Sequence, residues 1–401
     1  MLDKVISKLK DVEKRHQERH TPLGLRYVVA DSIEFVNAAH WDAVARDRTV
    51  FLSRTYLRAL EQHCPTNTEP RHVIAYRDDE PVAILACQLA QIGGEQLVAR
   101  QEEGSPRQAV LGQVRERVLV CGNLVSSGLH GIAFAPGLEP EFGWRAVAEV
   151  LYRIRRGEKL AGSVDFVMIK DLKGDGVAQS DVLRRYSYRS IQSDPDMVLT
   201  LDPECRSFED YLARLTSKYR SKIKKIGKTL DKAGYRVETL DDFEPVEAQL
   251  HALYLQVEAR APVRLATISE GYFGAMRRAL GQKFVCSVIR NDEAIVGFVT
   301  TVIDGPEAIG YYVGVDYETN AQVPVYLRLL QLVIAHGAEA GCSKISFGRT
   351  ALEPKANLGA KPVDAHVWMR HRVPAFNFLL RKLYPMIPYD EAPERSPLKQ
   401  G

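Results

Sequence analysis

The chain repeats itself, and that limits what it can fold into more than any other feature. Arg77-Asp78-Asp79-Glu80-Pro81-Val82-Ala83 is matched by Arg290-Asn291-Asp292-Glu293-Ala294-Ile295-Val296. Upstream, Leu52-Ser53, Tyr56-Leu57 and Ala59-Leu60 are matched by Ile268-Ser269, Tyr272-Phe273 and Ala275-Met276. Downstream, a helical pattern closed by Gly162 precedes Val164–Ile169, as another closed by Gly341 precedes Lys344–Phe347. Eight residues on from each glycine stand Lys170 and Arg349. Three matches in one order, spaced alike, point to a duplicated sheet-and-helix unit.

The second unit is the clearer one. Phe284–Ile289 is apolar and β-branched, Arg290–Glu293 is a turn, and Ala294–Ile303 is a second strand. Asp304-Gly305-Pro306 turns into a third strand from Ala308 to Val315, and a polar loop leads to a helix from Val325 to Ala340. Ile345-Ser346-Phe347-Gly348 is a buried-strand pattern that runs into a charged loop. A meander that feeds a helix start beside its last strand suits an acyl carrier, because the free N–H groups of a helix start bind phosphate. In the first unit, a helix capped by Ser53 precedes a hairpin over His72–Ala90. A short strand, Val118–Cys121, then enters the glycine-rich run Gly122–Gly131, before a helix from Trp144 to Leu160.

With 401 residues, 45% hydrophobic and 26% charged, the chain has room for two domains. A net charge of +3 does not by itself call for a nucleic-acid partner. The six cysteines form no C-x-x-C pair, and Cys87, Cys121 and Cys286 sit in apolar runs, as buried free thiols of a reducing compartment do. Charged residues interrupt the first apolar positions and no run approaches ~18 apolar residues, so we expect neither a signal peptide nor a membrane span. The expected location is the cytoplasm, with peripheral contact on the inner membrane face as the alternative. Residues 1–20 read as an amphipathic helix, 21–200 and 201–388 as the two units, and 389–401 as a disordered tail. The segment from His371 to Pro388 mixes aromatic, leucine and arginine residues. It suits packing on the second unit or contact with an anionic membrane.

Between the units, Ser207 opens a helix that carries Lys218, Arg220, Lys222, Lys224, Lys225, Lys228 and Lys232 on the face opposite its apolar positions. A solvated face and a site for an anionic ligand are both open readings. Lys218-Tyr219-Arg220-Ser221-Lys222-Ile223-Lys224-Lys225 and Ala233-Gly234-Tyr235-Arg236-Val237 resemble the opening of the catalytic domain in the Fem-type peptidyltransferases and related GNAT-fold acyltransferases. So do the meander, the strand end Tyr312-Val313-Gly314-Val315-Asp316, and the loop from Gly348-Arg349-Thr350 through Lys355 to Lys361-Pro362. The resemblance is good over Ser207–Pro388 and reaches the first half only through the duplication. It implies an α/β (α+β) protein of two tandem GNAT-like domains, each a mixed, mostly antiparallel sheet flanked by helices. It also implies transfer of an acyl or aminoacyl group to an amine. Two departures stand out. Tyr317–Pro324 replaces the glycine-rich phosphate loop of ordinary GNAT acetyltransferases, which leaves acyl-coenzyme A and an acyl carrier protein both open as donor. The long helical hairpin of the tRNA-dependent members is missing.

Acyl transfer to an amine needs a base, donors for the oxyanion and an acid for the leaving group. Asp316 ends its strand as a base or as a loop cap. Tyr311 and Tyr312 alternate across the strand, so only one, Tyr312 in our reading, should face a cleft. Tyr326 is an acid or a core residue. Asn320 and Gln322, ahead of the helix, and Arg349 and Lys355, after a strand end, are candidates to hold the donor. Glu353 lies between those two cations and, with Asn123, Ser126, Ser127 and His130 of the glycine-rich run, is a candidate for substrate contact. The spacing of His130 and His366 supports neither as base. No metal-ligand cluster, G-x-S-x-G elbow or P-loop is present, so no tightly bound cofactor is expected.

Three functions fit. The first is an N-acyltransferase using an acyl thioester and an amine acceptor, a lipid amine among the candidates. The second is aminoacyl-tRNA-dependent amide formation on a peptidoglycan precursor or peptide. The third is a non-catalytic binding module. DNA is not an expected partner.

Overall fold

Among the described residues, alternating β-branched runs and polar turns produce thirteen strands, and all of them join one sheet. The computed structural model describes Gln17 and residues 21–97, 115–377, 393 and 395–399. The amphipathic helix expected over residues 1–20, the loop around 104–113 and most of the segment beyond His371 lie outside the described residues.

The first half runs β1 (Arg26–Ala30), α1 (Ala38–Ala45), α2 (Arg54–Gln62), β2 (Thr68–Arg77), β3 (Glu80–Gly93), β4 (Arg115–Cys121), β5 (Ile132–Phe134), α3 (Pro140–Gly157), β6 (Phe166–Lys173), α4 (Asp175–Gln179) and β7 (Arg189–Thr200). The second runs α5 (Phe208–Arg214), α6 (Ser217–Lys232), β8 (Arg236–Leu240), α7 (Glu247–Glu258), α8 (Tyr272–Leu280), β9 (Phe284–Arg290), β10 (Ile295–Asp304), β11 (Glu307–Val315), α9 (Tyr317–Gln322), α10 (Val325–Glu339), β12 (Lys344–Ser346), α11 (Leu352–Ala356) and β13 (Lys361–His371). The long basic helix of the sequence reading is two helices, broken at Leu215, whose backbone is extended. Of its cations, Lys224 reaches Glu209 at 3.2 Å.

The sheet order is β1-β2-β3-β4-β6-β13-β7-β12-β11-β10-β9-β8, with β5 also on β3. Among the described strands only β4·β6 and β11·β12 are parallel pairs. The repeated turn is tight in the first copy because Asp78 and Asp79 both take positive φ, 51° and 66°, as a two-residue hairpin of primed type requires. The two halves exchange strands where they meet. The first part of β7 pairs with β13 from Met369↔Arg189 to Lys361↔Val198, and its last residues, Val198–Thr200, pair with β12. The far end of β13, Ala365–His371, pairs with β6 of the first half. The last described strand of the chain is therefore built into the sheet of the first half.

Apolar side chains fill three main layers. One lies against α3, with Leu151, Ile169 and Trp368, and another lies between α10 and the strands of the second half, with Leu329, Val333 and Ile345. The largest is shared: Phe51, Tyr56 and Ile84 of the first half pack with Tyr272, Phe273 and Phe298 of the second. Fusing two cores into one removes more apolar surface from water than two separate domains would. Among the described residues no helix is long and apolar enough to cross a membrane.

Candidate active site

β11 and β12 pair over three residues only, Glu307↔Lys344 to Ile309↔Ser346, and then part. A bulge drives the parting. Val299 pairs with Val313 but Thr301 pairs with Gly310, so Tyr311 and Tyr312 together face the single residue Thr300. Thr300 fills the irregularity: its Oγ1 accepts from the Tyr312 N–H at 2.9 Å, and its hydroxyl donates to the Tyr312 carbonyl at 3.3 Å. Strict alternation would turn one tyrosine away. The bulge cancels it, and both Tyr311 and Tyr312 line a cleft of about 360 Å³. That volume is within the usual range of small-molecule sites.

The first half closes this cleft at the equivalent point of its own fold. β4 and β5 both pair with β3, so they form one strand interrupted by residues 122–131. The interruption falls opposite Ala86, whose N–H donates to Gly131 O at 2.9 Å and whose carbonyl accepts from Gly122 N at 3.0 Å. Where the second copy has a bulge, the first has a ten-residue excursion that leans across and brings Leu124, Val125, Ser126 and Ser127 to the cleft. The Tyr312 hydroxyl donates to Val125 O at 3.0 Å and fastens it. The repeat-related tyrosines also converge, since Tyr56 and Tyr272 place their hydroxyls 3.3 Å and 2.5 Å from that of Tyr311. Burial pushes the phenols of Tyr311 and Tyr312 well above their usual range, so both stay protonated and neither serves as a base.

The repeat-related cations meet as well. Arg349 forms an ion pair with Asp171, which is 1% exposed. Lys170 donates to the carbonyls of Asn123 and Ser126 at 2.7 Å and 2.8 Å, and lies 3.6 Å from Asp171. The Gly128 N–H gives Asp171 a further partner at 3.0 Å. Burial alone would raise the Asp171 carboxyl, but Lys170, Arg349 and that N–H outweigh it and hold it below the usual range. Asp171 itself has positive φ, as do Thr350 and Ala351 in the loop after β12. Strained backbone of this kind collects at functional sites, and here it surrounds the cleft.

Tyr326, Arg349 and Lys355 line the cleft, as Ser126 and Ser127 do. Tyr326 is displaced upward to about 12 by burial, and among the described residues nothing bonds its hydroxyl. The other sequence candidates fall elsewhere. Asp316 caps α9, accepting from the Thr319 N–H at 2.7 Å, which lowers its pKa and fits it poorly for a base. Asn320 accepts from the Tyr326 N–H at 2.9 Å and so occupies the start of α10 that we expected to hold a phosphate. Gln322 is exposed at the end of α9. Glu353 is exposed and pairs with Arg395 rather than with the cations flanking it in sequence. Asn123 is buried behind the cleft, its amide 3.4 Å from the Tyr56 hydroxyl. His130 stacks on Phe51 at 3.9 Å with Nδ1 3.0 Å from Ser126 Oγ, and burial lowers it to about 3. It is a packing residue. No cluster of metal-binding side chains occurs among the described residues. The sequence reading did not single out Lys170 and Asp171 as site residues, although the count from the paired glycines had already set Lys170 beside Arg349.

The sequence of residues 217–372 matches the family model described as the acetyltransferase (GNAT) domain. This segment is therefore similar to a GNAT acetyltransferase domain. It holds β11, β12 and α10, and the parted strands are its cleft. No curated protein matches the sequence. Two solved structures extend the likeness in fold to most of the chain. The crystal structure of FemX aligns with a TM-score of 0.51 at 11% identity, covering 90% of this chain and 99% of that one. A tandem GNAT protein from the clavulanic acid biosynthesis pathway aligns with a TM-score of 0.51 at 14% identity, covering 86% and 98%. The protein thus has a tandem GNAT fold, and its second half is similar to the acetyltransferase (GNAT) domain.

Proposed function

We propose that the protein moves an acyl group from a thioester, of coenzyme A or of an acyl carrier protein, to an amine, and that the transfer takes place where β11 and β12 part. The parting carries the reading. It opens the sheet between Tyr311–Tyr312 and Phe347–Arg349, so an extended thioester chain can lie along strand edges whose partners have turned away. One wall, from Leu329, Leu330 and Val333 of α10, is apolar and suits an aliphatic acyl chain. The opposite end, with Ser126, Ser127, Lys170 and Arg349, is polar and suits the acceptor.

The chemistry is direct attack. The amine nitrogen adds to the thioester carbonyl, the C–S bond breaks, and the thiolate leaves. No covalent enzyme intermediate is required. The Tyr326 hydroxyl is the donor for the departing sulfur, because it faces the cleft and is otherwise unengaged. A lipid amine remains one acceptor class, its amine headgroup meeting the polar end. Purified protein offered a panel of acyl thioesters and amines should release free thiol with at least one pair. Absence of release with every donor would overturn the reading.

A further inference from the structure

Lys355 is 2% exposed, yet it lines the cleft. Its Nζ donates to the carbonyls of Gly348 at 3.0 Å and Arg349 at 2.6 Å. Among the described residues no carboxylate lies within ion-pair distance of it. Asp196, on β7, is the carboxylate that acts on it, and it is already committed to Ser346 Oγ at 2.9 and 2.7 Å and to Lys173 at 2.5 Å. An ammonium buried on two neutral carbonyls, with no carboxylate in ion-pair distance among the described residues, is costly as a mere structural peg.

The bonding pattern gives it a use. An ammonium has three N–H groups and a neutral amine has two plus a lone pair. Both carbonyl bonds survive deprotonation, so the third position can exchange a proton for a lone pair without disturbing the loop. The other acid–base groups around the cleft are spoken for: Asp171 is held by three donors, Asp316 caps a helix, and Tyr312 donates to Val125 O.

We propose that Lys355, as a neutral amine, takes the proton from the attacking acceptor nitrogen. The inference rests on the acyl-transfer reading above. As the C–N bond forms, one proton passes from the acceptor nitrogen to Lys355 Nζ. As the C–S bond breaks, the electron pair leaves on sulfur, which takes the Tyr326 proton. Water then carries the proton from Lys355 back to the Tyr326 oxygen, and the enzyme is restored. Burial lowers the Lys355 ammonium to about 8, against the opposing pull of Asp196, which makes a neutral fraction available near neutral pH. Asp196 on β7 acts on it, Lys173 on β6 and Glu307 on β11 lie about Asp196, and Arg349, Lys170, Asp171 and Tyr326 line the same cleft.

The test is thiol release against pH with wild type, Lys355→Gln and Lys355→Met. Glutamine keeps an N–H donor for the carbonyls but does not titrate. Wild-type kcat/KM should rise through about pH 8, and both variants should lose about 10²-fold or more together with that limb. Binding of a non-reactive thioether analogue of the donor should change little. Lys355→Gln within threefold of wild type, or slower with the limb intact, would overturn the proposal. Should both variants fail to fold, acetylation of wild-type lysines followed by mass spectrometry decides. Lys355 should then be half-maximally reactive near pH 8; reactivity of Lys355 that appears only above about pH 10, the range of an ordinary lysine, refutes it. A wild type that releases no thiol from any donor sinks the acyl-transfer reading itself, a different outcome from an active Lys355→Gln.

Discussion

Asp171→Asn tests how far the site depends on both halves. Asp171 is held by Arg349 across the halves, by Lys170 and by the Gly128 N–H. Breaking one partner out of a buried ion pair typically costs about 3–5 kcal/mol. Three features reduce that here. Arg349 is 26% exposed and is partly rehydrated once its partner is gone. Lys170 keeps two backbone carbonyls, and asparagine still accepts from Gly128. The expected loss is therefore about 2–3 kcal/mol, measured by denaturant unfolding at pH 7. Because the folded carboxyl is depressed, its contribution is complete above the unfolded value of about 3.9 and disappears as pH falls through the folded one. The gap between wild type and Asp171→Asn should be flat from pH 5 to 8 by that argument and narrow below about pH 4. The double variant with Arg349→Gln should show coupling of at least about 0.5 kcal/mol. Strict additivity, or a gap that widens in acid, would refute the reasoning.

Other perturbations separate function from scaffold. Tyr326→Phe should leave unfolding unchanged and lower kcat by about 10²-fold, read as thiol release at saturating donor. Asp316→Ala should cost about 1 kcal/mol as a lost helix cap while kcat/KM stays within threefold of wild type; a large kinetic loss would restore Asp316 as a base. Gly131→Ala places a Cβ 2.2 Å from the Gly122 nitrogen, so the neck of the 122–131 excursion must open. Turnover should fall more than stability, and rescue would be seen only if the excursion does not line the site.

Much of the fold was legible because duplication shows up in local chemistry. Turn residues, an amphipathic helix and a closing glycine recur in one order, and each specifies its element without help from the rest of the chain. The register that set Lys170 beside Arg349 came from the same repetition. What the sequence hid depends on pairing. β7 and β13 would have the same apolar pattern whichever neighbours they chose, so the exchange that knits the halves leaves no local trace. The bulge at Tyr311–Tyr312 exists only because Thr300 faces two residues, and alternation read along a single strand predicts the opposite. Arg349 takes its carboxylate partner, Asp171, from the other copy, a contact that no local pattern announces. Asp316 and Asn320 stand ahead of helices, where Asp and Asn most often cap, and the structure uses them so.

The central claim is that the donor lies between the parted strands β11 and β12, under the excursion from the first half. Photolabelling with an acyl thioester carrying a diazirine on its chain, followed by peptide mapping, tests it directly. The account predicts adducts on α10 around Tyr326–Val333 and on Phe347–Thr350, with weaker ones on Leu124–Ser127, all lost when unlabelled thioester is added. Competable adducts confined to α6, or to the surface around Asp42–Thr55, would contradict it.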